Sequence, residues 1–262
     1  MRSLADLRSL DGRVVVVTGG AGHVGGAICD ACEVLGGEIA ILDRDQEACD
    51  AAVGTSQRRH GFPVDLRDPE AIRAVMRRVE TDLDRLDAVV HCAAYVGTTG
   101  VPGWAVPFED QTVDAWDEAL RVNLTAAFVL AQAARPALAA SGNGTMVFVS
   151  SIYGMVGPDM RLYDDTDMNN PAGYAASKGG LNQLTRHLAT LFAPEIRVNT
   201  LTLGGVWRKQ PEAFVERYER RTPMRRMATE EDFKGAAAFL LSDLSAYVTG
   251  QNIVVDGGWT AW

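Results

Sequence analysis

Six short runs rich in β-branched and other apolar residues recur along this chain, and the segments between them carry apolar residues at helical spacing. The runs are RVVVVTG at 13–19, EIAILD at 38–43, LDAVVHCAA at 86–94, GTMVFVSS at 144–151, IRVNTLT at 196–202 and NIVVDGG at 252–258. They are nearly continuous in apolar character rather than alternating, which suits strands buried on both faces of a parallel sheet. A shorter candidate, FPVDL at 62–66, fits between the second and third runs. Segments 22–36, 68–83, 112–140, 172–193 and 229–242 read as helices. Parallel neighbours need crossover connections, and helices supply them. The pattern therefore predicts an α/β fold, a doubly wound parallel sheet flanked by helices.

No composition break marks a linker in the 262 residues, so the expectation is a single domain over 1–262. With 25 basic against 34 acidic residues and a formal charge of −9, the chain is a poor partner for nucleic acid or an anionic membrane. No apolar run is long enough to span a membrane. The start, MRSLADLRSLDGR, contains acidic residues and reads as neither a secretory signal nor a transit peptide. Cys29, Cys32, Cys49 and Cys92 lack the spacing of a disulfide framework, and a reducing cytoplasm fits them. Cys29 and Cys32 form C-x-x-C inside a helical segment with no second pair nearby to complete a zinc site, so they read as helix packing and no metal is expected.

In doubly wound sheets ligands bind beyond the carboxyl ends of the strands. After the first strand comes TGGAGHVGGAI, in which Gly19, Gly22, His23, Val24 and Gly25 open a helix. Glycines there permit a tight turn and let backbone N–H groups and the helix N-terminus approach a pyrophosphate, the Rossmann-type arrangement. The second strand ends at Asp43, a carboxylate suited to the adenosine ribose hydroxyls and repulsive to a 2′-phosphate. That favours NAD over NADP, with two rival considerations: Asp43 as a cap for the next helix, and Arg44 beside it as a phosphate ligand.

The segment PAGYAASKGGLNQL places Tyr174 and Lys178 four residues apart, neighbours on one helical face. A phenol has an unperturbed pKa of about 10. A cation about 4 Å away contributes about 4 kcal/mol at an effective dielectric of about 20. The expectation is a lowered Tyr174 pKa and an acid/base usable near neutral pH.

Taken together, TGGAGHVG, HCAA, RVNL with Asn123, VSSIYG with Ser151, YAASK and the tail YVTGQNIVVDGG resemble the short-chain dehydrogenases/reductases over essentially the whole chain. The resemblance implies that Tyr174 exchanges the substrate hydroxyl proton, Ser151 hydrogen-bonds that oxygen, Lys178 also holds the nicotinamide ribose and Asn123 anchors a relay water. Ser150 is the nearby rival of Ser151, which is preferred because Gly154 follows it by three residues as in the family. Further cofactor contacts are implied for Asp65 and Leu66, for Cys92, Ala93 and Ala94, and for the backbone of Val206. Members are often dimers or tetramers, and the aromatic tail with Trp259 and Trp262 suits either an interface or the chain's own core.

The chain also departs from the family pattern. His23 stands for the middle glycine of the loop, His91 and Cys92 stand where two asparagines are usual, and Leu203 replaces a proline. The gap between Ser151 and Tyr174 is longer than usual and contains GPDMRLYDDTDMNNPAG, expected to shape the substrate pocket. With QPEAFVERYERRTPMRRM and the end VVDGGWTAW, this looks similar to a bacterial branch linked to surface-glycan and flagellin-sugar biosynthesis. The arginines Arg217, Arg220, Arg221, Arg225 and Arg226 suit a solvated helix face, or else a phosphate site. The expected activity is NAD-dependent interconversion of a secondary alcohol and a ketone on a small, polar, carbohydrate-like substrate. Alternatives are a sugar epimerase or dehydratase with transient NAD reduction, and a non-catalytic dinucleotide-binding regulator.

Overall fold

Seven strands form one sheet in which every neighbouring pair is parallel. The structure, a computed structural model, describes residues 1–97 and 99–262. In chain order the strands are β1 (Val14–Thr18), β2 (Glu38–Asp43), β3 (Arg59–Pro63), β4 (Ala88–His91), β5 (Gly144–Ser151), β6 (Ile196–Leu203) and β7 (Asn252–Val255). Their spatial order is β3-β2-β1-β4-β5-β6-β7. After β3 the chain returns past β1 to lay down β4, so the winding reverses where Thr18 lies beside His91. A cleft must open at that point, because the connections leave in opposite directions.

The helices cover both faces. On one side α4 (Pro69–Leu83), α6 (Ala126–Ala140) and α7 (Ala172–Phe192) bury Val79, Leu130 and Leu188 against Val16, Val89 and Phe148. On the other, α2 (His23–Val34) and α9 (Glu231–Leu241) bury Ile28, Phe233 and Leu240 against Val15, Val17 and Val147. Asp68 caps α4 by accepting from Glu70 and Ala71 N–H, and Pro69 takes the first helical position, where its missing N–H costs nothing. Cys29 and Cys32 are buried on the inner face of α2, as helix packing requires.

Besides trimmed strand ends, as at β4 and β7, one strand is displaced and one helix is interrupted relative to the sequence-based expectation. The third strand is Arg59–Pro63 rather than 62–66. It lies at the sheet edge, where Arg59 pairs with Asp30 and Glu33, and His60 meets Glu38, so polar side chains replace the apolar run of an interior strand. The single helix expected over 112–140 is interrupted: α5 (Val113–Leu120) passes through a wider π turn at Arg121–Thr125 before α6 resumes. The apolar spacing stays helical on either side of the extra residue, and the break falls at Asn123.

The long segment before α7 is folded. Two 3₁₀ turns, Ile152–Gly154 and Met160–Leu162, pack with α8 (Glu212–Arg221) and the chain end in a separate cluster of Ile152, Leu162, Phe214, Tyr218, Met227 and Trp259. α3 (Gln46–Val53) and the short α1 (Leu4–Arg8) complete the α-helices among the described residues. Among the described residues no helix is long and apolar enough to cross a membrane.

Candidate active site

At the end of β1 the backbone turns through Gly19, at φ +67°, where a Cβ would lie 2.9 Å from the Ala93 backbone. A Cβ on Gly25 would stand 2.1 Å from the Gly19 carbonyl oxygen. Both positions therefore exclude side chains, and Gly22 caps α2 with no side chain over its first N–H groups. His23 begins that helix and is largely exposed, with Nδ1 3.8 Å from a Glu230 carboxylate oxygen. Val24 packs back into the core. The middle-glycine position is thus filled by a side chain that turns outward toward Glu230.

Beside the loop is a cleft of about 220 Å³, lined by Gly19, Asp43, Arg44, Asp65, Leu66, Arg67, Ala93, Ala94 and Tyr95 among others. Asp43 Oδ1 accepts from Arg44 N–H at 2.9 Å, which orients the carboxylate at the strand end. Asp65 grips Arg67 through both carboxylate oxygens, and Arg67 also reaches Glu118. The Arg67 side chain beside it holds Asp65 below the usual carboxylate range. Sequence reasoning passed over Arg67, Glu118 and Tyr95, whose hydroxyl bonds Glu118 at 3.3 Å. Their roles depend on elements that meet only in the fold.

His91 resolves the departure at the end of β4. It is buried, its Nδ1 lies 3.0 Å from Thr18 Oγ1, and its Nε2 lies 3.2 Å from the Asn123 carbonyl oxygen. A carbonyl only accepts, so Nε2 carries the proton and Nδ1 accepts from Thr18. Thr18 Oγ1 in turn accepts the N–H groups of Cys92 and Ala93 at 3.1 and 3.2 Å. Burial, reinforced by the Lys178 charge, pushes His91 down to about 3, so it stays neutral. This side chain ties the ends of β1 and β4 to the π turn. Burial likewise pushes the Cys92 thiol up to about 12.

Asn123 is fully buried: its Oδ1 accepts from Tyr95 N–H at 2.7 Å, and its Nδ2 donates to Tyr95 O and to Ser177 Oγ. At the end of β5 the two serines separate by strand alternation. Ser150 Oγ donates to the Lys178 carbonyl at 3.1 Å, whereas Ser151 Oγ accepts Tyr153 N–H at 3.2 Å and stands beside the Tyr174 phenol. Gly154 explains its own position, since a Cβ there would lie 2.7 Å from the Lys178 backbone. Ser151, Tyr174 and Lys178 thus meet where β5 ends beside α7, and Asn123 joins the same helix through Ser177.

The expected lowering of the Tyr174 pKa does not occur in this structure. Burial pushes the phenol up to about 12, with the Ser151 hydroxyl pulling it part of the way back. The same burial pushes Lys178 down to about 8. Lys178 Nζ donates to the Val149 carbonyl at 2.8 Å and sits 5.7 Å from the Tyr174 ring centroid, facing the ring. Desolvation thus outweighs the attraction that helical spacing alone suggests.

The segment Pro158–Pro171 forms a cap packed against α8. Arg217 donates to the carbonyls of Asp164 and Leu162 and pairs with Asp165; Asp159 binds Arg161 and meets Arg221. Arg221 also lies 4.6 Å over the Trp259 ring, and Arg226 pairs with Asp232. Arg217 and Arg221 are thus structural ties, a use neither sequence-based option named. Tyr163 OH donates to Tyr153 OH at 3.1 Å and receives Asn170 Nδ2 at 3.3 Å, so the cap is tied to the turn that follows Ser151. Trp259 is buried in the chain's own core, and Trp262 is exposed. Val206 bridges to Ala228, with its carbonyl accepting from Gln210.

The site and sheet order define a dinucleotide-binding oxidoreductase of the doubly wound class, and comparison with known proteins supplies the family. The protein-family model described as "Enoyl-(Acyl carrier protein) reductase" matches residues 19–260. A probable galactose dehydrogenase of Rhizobium meliloti is 31% identical over 97% of this chain and 96% of that one. A post-translational flagellin modification protein of Campylobacter coli is 29% identical over 95% of this chain and 99% of that one. Among solved structures, a short chain dehydrogenase from Leptospira borgpetersenii with bound NAD+ superposes with a TM-score of 0.87 at 32% identity, covering 99% of this chain and 96% of that one. A gluconate 5-dehydrogenase from Burkholderia cenocepacia, in complex with NADP and tartrate, gives 0.87 at 26% identity, covering 99% and 100%. The chain belongs to the short-chain dehydrogenase/reductase family.

Proposed function

We propose that the protein is an NAD-dependent oxidoreductase interconverting a secondary alcohol and a ketone on a carbohydrate-like substrate, with Tyr174 as acid/base. The observation that carries this is the meeting of Ser151, Tyr174 and Lys178 where β5 ends beside α7, with Lys178 Nζ 5.7 Å from the Tyr174 ring centroid. Relatives named for galactose and gluconate support the substrate class. Asp43, lining the cleft beside Gly19, favours a free ribose 2′-hydroxyl.

The residues fit a nicotinamide dinucleotide: Gly19, Gly22 and Gly25 form the turn that would face the pyrophosphate, Asp43 takes the adenosine ribose, Asp65, Leu66, Ala93 and Ala94 line the adenosine side, and Cys92 adjoins them at the end of β4. Lys178 takes the second ribose, and Val206 the carboxamide. When bound, the cofactor supplies the hydride donor or acceptor. Ser151 donates a hydrogen bond to the reacting oxygen, and Tyr174 Oη gives or takes its proton. Asn123 anchors a water that relays protons to solvent. A phenol held at about 12 is protonated at neutral pH, so Tyr174 acts there as a donor in ketone reduction. Alcohol oxidation calls on the tyrosinate and accelerates as pH rises. We also read residues 1–262 as one domain of a cytoplasmic homo-oligomer, a dimer or tetramer, for which exposed Val113 on α5 and Phe128 on α6 offer apolar surface.

The test is to supply sugars, sugar acids and polyols with NAD+ or with NADP+ and follow the ultraviolet absorbance of the reduced cofactor. Turnover with NAD+ at least about tenfold above NADP+, as expected for one disfavoured charge contact, supports the assignment. Equal turnover with both contradicts the role given to Asp43.

A further inference from the structure

Two charged groups beside the first turn of α2 have no part in the site so far described. Arg208 follows β6 by a few residues, and its Nη1 lies 2.9 Å from Glu230 Oε1. The same oxygen is 3.8 Å from Nδ1 of His23, the first residue of α2. One carboxylate oxygen therefore spans the opening between the glycine turn and the loop after β6.

Both banks of this opening are fixed. Gln210 accepts from Arg208 N–H at 2.6 Å and donates to the Val206 carbonyl at 2.9 Å. Trp207 N–H donates to Ala228 O, and Ala228 N–H donates to Gly205 O, each at 2.9 Å, lacing the loop to the residues that lead into α9. Glu230 stands at the start of that helix, which packs beside α2 on the same face of the sheet. The Arg208 guanidinium is thus held within one carboxylate's reach of the α2 N-terminus, where an anion is favoured by open N–H groups and the helix dipole.

Among the described residues only the Nη1 edge of Arg208 is bonded, to Glu230 and to the Trp207 carbonyl, so the Nε and Nη2 edge keeps its donors. A planar guanidinium grips a phosphate with two parallel N–H groups. Glu230, by contrast, is an acid close to where a pyrophosphate must sit, and repels it unless neutralised.

We infer that Arg208 is a pyrophosphate-binding residue that closes the cofactor cleft from the β6 side, and that Glu230 is its competitor, holding the guanidinium at the mouth. The inference rests on the dinucleotide reading above. It gives the two residues opposite signs. Removing Arg208 weakens the dinucleotide, and removing the Glu230 charge strengthens it because the guanidinium is released and a repulsive charge is lost. A merely structural Arg208–Glu230 pair yields losses for both.

The experiment is calorimetric titration of the full chain with NAD+, ADP-ribose and adenosine, for the wild type, Arg208→Met, Arg208→Lys, Glu230→Gln and the Arg208→Met/Glu230→Gln double variant, each checked for folding by circular dichroism. Expected for Arg208→Met is about a tenfold or greater loss of affinity for NAD+ and ADP-ribose, the scale of one charge-assisted contact, with adenosine unchanged. Arg208→Lys recovers part of the loss, Glu230→Gln binds a fewfold tighter, and the double variant behaves as Arg208→Met. Arg208→Met with unchanged ADP-ribose affinity, or Glu230→Gln with weakened affinity, overturns the inference. Failure of the wild type to bind NAD+ and ADP-ribose removes the parent reading, a result distinct from any change between variants.

Discussion

The proposed cofactor side and the proposed substrate side of this molecule are built by different means. Around Gly19, Asp43 and Ala93 the contacts are mostly backbone, set by strands in register and by turns a single Cβ would block. Around Tyr153, Tyr163 and Trp259 they are between side chains, and Arg217 reaches more than fifty residues back along the chain, with a sequence separation of 53 to Asp164. A backbone site tolerates little change and accepts one kind of ligand. A side-chain site can be re-lined while the frame stays, which is how one family scaffold serves many alcohols.

The sharpest way to break the comparison lies on the cofactor side. In Gly25→Ala the new Cβ falls 2.1 Å from the Gly19 oxygen, so the turn itself must move. Cofactor affinity is expected to drop by about a hundredfold or more, the scale of misplacing a preorganised site, while circular dichroism keeps its helical signal. Calorimetry with NAD+ reads the loss, and an unchanged dissociation constant contradicts the backbone account.

Arg217→Ala is the matching change on the substrate side. It frees the cap carbonyls of Asp164 and Leu162 without touching the glycine turn. KM for the substrate is expected to rise about tenfold, the cost of hydrogen bonds made by a charged group, with NAD+ affinity unchanged. A parallel loss of NAD+ affinity shows the two sides to be one cooperative unit.

The smallest effect concerns Lys178, between the two sides. Its folded pKa of about 8 lies below its ordinary 10.5, so the unfolded chain binds more protons between these values. The contribution of this group to stability therefore increases with pH across that window. Urea unfolding of wild type and Lys178→Met at a series of pH values is expected to show the wild type gaining on the variant from about pH 8 upward. A constant difference means that the ammonium is better solvated than its burial implies.

The same contrast explains what could be read from sequence. β5 is found where its apolar run places it, Gly144–Ser151, because an interior strand must be apolar on both faces. The spacing of Tyr174 and Lys178, the glycine turn and Asp43 were legible because each sits at a strand end or on one helix. His91 was visible as a departure, but its bonds to Thr18 and the Asn123 carbonyl join three elements and leave no local trace. The π turn at Asn123 hides within helical spacing, and β3 was displaced because its polar residues pair with distant partners at the edge. Helical proximity also misjudged the Tyr174 phenol, since spacing says nothing of burial. The arginines of α8 looked like a solvated stripe or a phosphate site, and only tertiary structure shows Arg217 and Arg221 tying down the cap.

The most direct test of the account is the Tyr174→Phe variant, which deletes one oxygen from a side chain whose ring packs beside Trp104, Ala115 and Ala119. Its kcat on an active substrate and its NAD+ dissociation constant are measured together, with folding checked by circular dichroism. The account predicts a rate loss of about 10² to 10⁴, the usual contribution of a positioned proton-transfer group, with NAD+ binding within a fewfold of wild type. A well-folded Tyr174→Phe that turns over at the wild-type rate means that the proton travels elsewhere, and the mechanism proposed for this site is then wrong.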